Sequence, residues 1–263
     1  MRSIWKGHIR FSLVTIPIQI FNAIETKNNI SFNQLHKEDN GRVGYKKVCK
    51  SCDEVLASKD IVKGYEYQPD QYVIMESEEL SSVKLKSKRA IDIEAFVDLN
   101  EVHPSRFESV YFIGPESEVA KQSFQLFKTA LKNAGKAGVG KIVLRDREDV
   151  VLLVPEDDGM YMYKLRYPYE VRDIKKVPDV ETVEIDEAQL KLAGTLIDSL
   201  STTFDTLVFE DKYHEALLDL VNQKVEGKEI VSVSSETESK PTIDIMDALK
   251  ASIEQAKSLK KGA

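Results

Sequence analysis

Alternation of apolar and polar side chains is the strongest pattern in the first two thirds of the chain. In the range 3–14 an apolar set and a basic set interleave: Trp5, Ile9, Phe11 and Leu13, and Lys6, His8 and Arg10. Because successive side chains of a β-strand point to opposite faces, this pattern predicts a strand with one face in the core. The other face then carries basic groups about 6.7 Å apart, which suits a polyanion better than a small molecule.

Six further segments have the short apolar runs or strict alternation of β-strands. They are residues 72–75, 90–99, 110–113, 141–145, 150–154 and 160–165. In the range 90–99, the alternation predicts one shared apolar face made of Ile91, Ile93, Ala95, Val97 and Leu99.

Helical spacing is typical of four other segments. One helix is predicted to start at Ser77, and another to run from Ser117 to Ala134 and end at Gly135. After about residue 168 the pattern becomes helical, with helices predicted from Asp186 to Leu200 and over 214–225. We therefore predict a mixed α+β protein with a core over about 1–170 and a helical arm over about 185–227.

The last 36 residues have a different character. Residues 228–240 are rich in Ser, Glu and Lys and predict a flexible linker. Residues 241–263 repeat apolar side chains at helical spacing, with Met246, Leu249 and Ile253 on one face, and predict a short amphipathic helix. Docking of this helix on the core and binding of a partner are both open from the sequence.

Composition narrows the class of protein. The net charge is −7, yet residues 1–147 hold 23 Lys and Arg against 19 Asp and Glu, whereas residues 148–263 hold 14 against 25. Neither a signal peptide nor an apolar run of membrane-spanning length is evident, and two cysteines in 263 residues are typical of a reducing compartment. We expect a soluble, cytoplasmic protein whose first half can face a polyanion.

A glycine-rich stretch, 135–141, nearly matches a phosphate-binding P-loop. Ile142 stands at the position where a P-loop has Ser or Thr. The predicted order is also helix–loop–strand, whereas a P-loop runs strand–loop–helix so that the amides at the helix N-terminus face the phosphates. We interpret the stretch as a tight turn that starts a strand with Lys141 and Arg145 on one face. That face is either a phosphate-contacting surface or a solvated strand edge.

Cys49 and Cys52 have the spacing of half a zinc site. His36 is a candidate third ligand, and Asp39 or a symmetry mate a fourth; the alternative is a pair of reduced thiols. The four histidines are far apart and no nucleophile or metalloenzyme motif occurs, so we predict no catalytic site, no metal and no cofactor.

Several ordered blocks resemble the prokaryotic Ku family. They are residues 4–7, 9–14 and 16–18, Ser31-Phe32 with Leu35-His36, Val48-Cys49, the run 60–67, and 135–136 with 141–145. The similarity covers about residues 2–225. It implies a Ku-core β-barrel with a bridging arm and a helical C-terminal arm, together forming residues 1–227.

The resemblance also implies a function. Ku proteins are ring-shaped homodimers that thread onto ends of double-stranded DNA in non-homologous end joining and recruit a multidomain ATP-dependent ligase, which implies a nucleoid-associated protein. Sequence-independent binding requires phosphate contacts from Lys and Arg. From the basic clusters we predict as DNA-binding residues Lys6, Arg10, Arg42, Lys46, Lys47, Lys50, Lys141 and Arg145.

Two other functions remain open from the residues alone. One is a protein-interaction scaffold that binds no DNA. The other is a nucleotide-dependent nucleic-acid enzyme built on the loop 135–141. The ordered blocks favour the DNA clamp over both.

Overall fold

The computed structural model describes residues 1–25, 29–83, 89–144, 147–180 and 183–227, together with Leu249 and Ser252. Arg145, the linker 228–240 and most of the helix predicted over 241–263 therefore lie outside the described residues. The chain divides into two compact units, Met1–Ile174 and Lys175–Ala263, which we describe separately.

A closed seven-stranded barrel forms the centre of the first unit, which confirms the predicted mixed α+β fold class. The strands follow the order β1-β2-β6-β9-β8-β7-β5, and β5 closes the barrel by pairing parallel to β1. The elements of this unit are β1 Trp5–Phe11, β2 Val14–Asn22, β3 Lys63–Gln68, β4 Gln71–Met75, α1 Ser77–Val83, β5 Ala90–Val97, β6 Phe107–Pro115, α2 Glu118–Ala134, β7 Ala137–Leu144, β8 Arg147–Pro155 and β9 Met160–Leu165.

Alternate side chains of the barrel strands build the main core. Ile9 of β1, Ile91 of β5 and Ile142 of β7 are fully buried in one cluster with the apolar stripe of α2, which includes Phe124 and Phe127. The helix ends where predicted, because Gly135 adopts the left-handed conformation with φ of 63° and donates its N–H to the last turn. The predicted helix 117–134 is thus confirmed to within one residue.

The first strand is shorter than the alternation indicates. The prediction that Leu13 lies on the core face is wrong, because its side chain is 98% exposed. Phe11 pairs with Val14, so Ser12 and Leu13 form a two-residue turn, and Ser12 has a positive φ of 52°. Because the chain reverses direction here, the alternation of apolar residues beyond Phe11 no longer predicts which side chains face the core.

A β-bulge also breaks the alternation predicted for 90–99. Ile93 pairs with Gly140 and Ala95 pairs with the adjacent Val139, so Glu94 is the extra residue. The shared face predicted for this range is therefore wrong after Ile93. Beyond the bulge it is Phe96, not Ala95, whose ring contacts those of Phe11 and Phe127.

Ion pairs join three strands of the barrel, β6, β8 and β9. Lys164 of β9 lies 3.1 Å from Glu108 of β6 and 3.2 Å from the buried Asp149 of β8. Next to them, Arg147 contacts Glu170 at 2.7 Å. The hydrogen bonds from Arg147 and from the backbone N–H of Tyr167 hold the pKa of Glu170 below its usual range.

This lowered pKa predicts a pH-dependent contribution to stability. Above the carboxyl's pKa in the unfolded chain, Glu170 stabilises the fold, and that stabilisation is lost as pH falls through the lower pKa of the folded state. We expect the thermal midpoint of the native chain to exceed that of Glu170→Gln at pH 7. The difference should shrink as the pH is lowered below 4, and a difference independent of pH would contradict the assignment.

A long excursion between β2 and β5 has no core of its own. Residues 31–74, which we call the arm segment, are exposed throughout except for half-buried Cys49 and Leu56. Two isolated bridges, Leu35 with Arg42 and Val48 with Val55, and the β3–β4 hairpin give it local structure. Its exposed apolar side chains include Tyr45, Val62, Tyr65, Tyr72 and Ile74.

The second unit contains α3 Glu187–Leu200 and α4 Lys212–Val225. Asp186 caps α3 as predicted, accepting a hydrogen bond of 2.9 Å from the N–H of Gln189, and Asp211 caps α4 in the same way. Neither helix has a buried residue. In the described ranges, no helix is both long and apolar enough to cross a membrane.

Candidate nucleic-acid interface

Two of the predicted DNA-binding residues lie on neighbouring positions of the barrel wall. Arg10 of β1 is in register with Asp92 of β5, which is in turn in register with Lys141 of β7. The Arg10 guanidinium donates through Nε and Nη2 to one carboxylate oxygen of Asp92, at 2.6 and 2.5 Å. The register of β1, β5 and β7 therefore brings these two cations close together, with an acid between them.

Lys141 has a carboxylate partner of its own. The bulged residue Glu94 lies 3.0 Å from the Lys141 ammonium and raises its pKa through a hydrogen bond and the opposite charge. Lys6, at the far end of β1, lies 3.8 Å from Glu116. We call Lys6, Arg10 and Lys141 the barrel cations; each of them faces a carboxylate.

Four other predicted residues lie in the arm segment, and their electrostatic setting differs. We call these residues the arm cations, and all of them are exposed: Arg42, Lys46, Lys47 and Lys50. Within the described part of the chain, none of them has a carboxylate at ion-pair distance. Their charges are therefore available to an anion without breaking an existing ion pair.

The arm segment has further exposed cations that were not among the predicted DNA-binding residues. Lys59 precedes Asp60 in a short turn, and Lys63 begins β3. Acidic residues in the same part of the sequence, such as Asp53 and Glu54, offset these cations in a count of charges along the chain. Such a count does not show which charges form ion pairs. The signal that was available is the density of cations over 42–63.

The arm segment also holds the two cysteines. Both thiols are free, and hydrogen bonds from the backbone N–H groups of Ser51 and Cys52 lower the pKa of Cys49. His36 instead bonds to Asp39, at 2.8 Å. Over the residues that the structure describes, no three His, Cys, Asp or Glu side chains are grouped to hold a metal ion, so the structure does not bring His36 and Asp39 together with the two cysteines as one ligand set.

The glycine-rich stretch 135–141 follows the predicted helix–loop–strand order, but the turn is shorter than predicted. Strand β7 begins at Ala137, four residues before the predicted start at Lys141. Gly135 ends α2, and Gly140 lies so close to β5 that a Cβ atom there would be 2.5 Å from the Asp92 carbonyl oxygen. Lys141 points to Glu94 and not into a loop of amides. Gly135 is therefore explained by a helix end and Gly140 by close strand packing, which argues against a nucleotide-binding loop.

Comparison with known proteins gives a consistent result. The family model described as the Ku70/Ku80 beta-barrel domain matches residues 10–192. The non-homologous end joining protein Ku of Lachnoclostridium phytofermentans is 38% identical, over 98% of each chain. The proteins of that name from Bacillus subtilis and Archaeoglobus fulgidus are 37% and 38% identical over 98% of this chain. The matched regions are 83% and 100% of the lengths of those two proteins.

Proposed function

Because this chain belongs to the Ku family of non-homologous end joining proteins, we propose that it binds the ends of double-stranded DNA as a ring-shaped homodimer. The observation that carries the proposal is the set of exposed arm cations, which lack a carboxylate partner among the described residues. The repair function is the one for which the relatives are named, non-homologous end joining.

The chemistry of the arm cations suits binding without regard to sequence. Lysine and arginine neutralise phosphates, which are identical at every base pair, and the affinity gained in this way falls steeply with salt. All four lie in one nine-residue stretch, 42–50, of the arm segment, which lacks a core. A segment of this kind can follow the DNA backbone with little cost in lost packing.

The barrel cations belong to the proposed interface in a second role. Each is at least 39% exposed and faces a carboxylate, so a phosphate that binds there must replace that carboxylate. Arg145, outside the described residues, is proposed as a contact from its sequence position alone. We expect the arm cations to supply most of the affinity.

The homodimer is supported by surfaces that one copy leaves uncovered. An isolated two-stranded hairpin is marginally stable in water, yet every residue of β3 and all but Met75 of β4 are exposed. Short helices also need a packed apolar face, and among the described residues no side chain of α3 or α4 is buried. A second copy is the partner that every chain has available, and two-fold symmetry is the commonest arrangement.

The proposal gives the chain a structural role and no catalytic one. It includes recruitment of a multidomain ATP-dependent ligase through the residues after about 185. The exposed apolar side chains Leu190, Phe209 and Tyr213 of that range are suitable contacts. The ring would hold an end while the ligase performs the chemistry.

The dimer is tested by the mass of the full chain in solution. Light scattering on the purified protein, alone and with a short duplex, should give twice the 29.8 kDa of one chain in both cases, plus the mass of DNA in the second. Unrelated duplexes of equal length should compete equally. A monomer at all concentrations, or strong preference for one sequence, would contradict the proposal.

A further inference from the structure

We infer that two carboxylates of β5, those of Asp92 and Glu94, compete with DNA phosphates for Arg10 and Lys141 and so lower the affinity of the chain for DNA. This inference rests on the proposed function and adds a set of residues that tune it. The four side chains form one cluster on the outer wall of the barrel, across β1, β5 and β7.

The backbone of β5 places Glu94 for this role. A bulge inserts one extra residue and re-aims its side chain, and here that residue is Glu94. Its carboxylate reaches Lys141 on the neighbouring strand at 3.0 Å, although Lys141 is in register with Asp92. Asp92 is thereby left to Arg10. The bulge thus supplies each cation with a separate acid.

The bulge also constrains the opposite strand. Gly140, next to Lys141, approaches the Asp92 carbonyl so closely that a Cβ atom would lie 2.5 Å from its oxygen. A regular strand would tolerate larger residues at this position. The bulge at Glu94 and the close approach of Gly140 therefore lie at adjacent positions of β5 and β7. On the surface of the barrel, the same positions carry the Glu94–Lys141 ion pair.

Both ion pairs are open to a competing anion. The side chains of Arg10 and Lys141 are each 39% exposed, and those of Asp92 and Glu94 are 43% and 55% exposed. Pairs at this exposure are weakly held because water and salt screen them. A phosphate can displace the carboxylate, but binding is weaker than to a cation without a partner.

The test is removal of each acid without change of shape. We expect Glu94→Gln and Asp92→Asn each to tighten binding of the full chain to a linear duplex about two- to fivefold, measured by fluorescence anisotropy at 0.1 M salt. Glu118→Gln is the matched control, since Glu118 pairs with Lys121 at 2.6 Å on α2 and its loss changes the net charge equally. Thermal midpoints of all variants establish that they are folded.

A second substitution links the gain to its cation. In the Glu94→Gln background, Lys141→Gln should remove the gain, because no freed ammonium remains to bind phosphate. If Glu94→Gln and Asp92→Asn bind no more tightly than Glu118→Gln while the native chain binds linear DNA, only this inference is overturned. If the native chain binds no linear DNA, the proposed function fails and the inference fails with it.

Discussion

Replacing Lys46, Lys47 and Lys50 together by glutamine is expected to weaken binding to linear duplex DNA by about 100-fold at 0.1 M salt. These three arm cations are exposed and, among the described residues, face no carboxylate. Each lost phosphate contact removes the release of about one counterion, and a homodimer loses the contacts twice. Anisotropy titrations over a salt series measure both the affinity and its salt dependence.

The matched control removes three lysines that already have acidic partners. Lys121, Lys132 and Lys136 each contact a carboxylate, so their replacement by glutamine changes the net charge equally. We expect this control to lose far less affinity and to keep the native salt dependence. The arm variant should instead show a slope of log affinity against log salt that is shallower by about 0.9 for each lost contact. Equal losses in both variants would show that binding depends on net charge alone.

Gly140→Ala is expected to lower the thermal midpoint of the chain by about 5–10 °C, from a destabilisation of about 2–3 kcal/mol. The added Cβ would lie 2.5 Å from the Asp92 carbonyl oxygen and 3.1 Å from the Ile93 side chain. The first of these is a backbone atom of the paired strand, so relief requires β5 and β7 to separate. Thermal unfolding followed by circular dichroism measures the effect.

Gly138 is the internal control for this prediction. It lies two residues earlier in β7, and a Cβ atom there would meet its nearest neighbours at 3.6 Å, an ordinary contact. We expect Gly138→Ala to change stability by less than about 1 kcal/mol. If the thermal midpoint fell equally in Gly140→Ala and Gly138→Ala, the close approach of Gly140 to β5 would not be the reason for glycine at that position.

The local elements of this fold could be predicted from the sequence because they depend on neighbours in the chain. Helix α2 has an apolar stripe and a terminal glycine within one stretch, and β9 is bounded as predicted at Met160 and Leu165. The cap at Asp186 follows from the same kind of information. In each case the determining contacts span only a few residues.

The misplaced features depend on contacts between distant segments. The turn at Ser12 and Leu13 has no glycine or asparagine to mark it, and the bulge at Glu94 exists only against Gly140 of another strand. Likewise Arg10 and Asp92 are 82 residues apart, so their ion pair cannot be read from local charge. The cations of the proposed interface could be chosen from the sequence, but which of them have an acidic partner in the fold could not be predicted from it.

Retention of the full chain on linear and on closed-circular duplex DNA of the same sequence and mass tests the central claim most directly. A ring can load only where DNA ends, so we predict binding to the linear form, lost steeply as salt rises, and little binding to the closed circle. Cutting the circle once should restore binding. Equal affinity for both forms would contradict the account, since it would mean an open groove that needs no end.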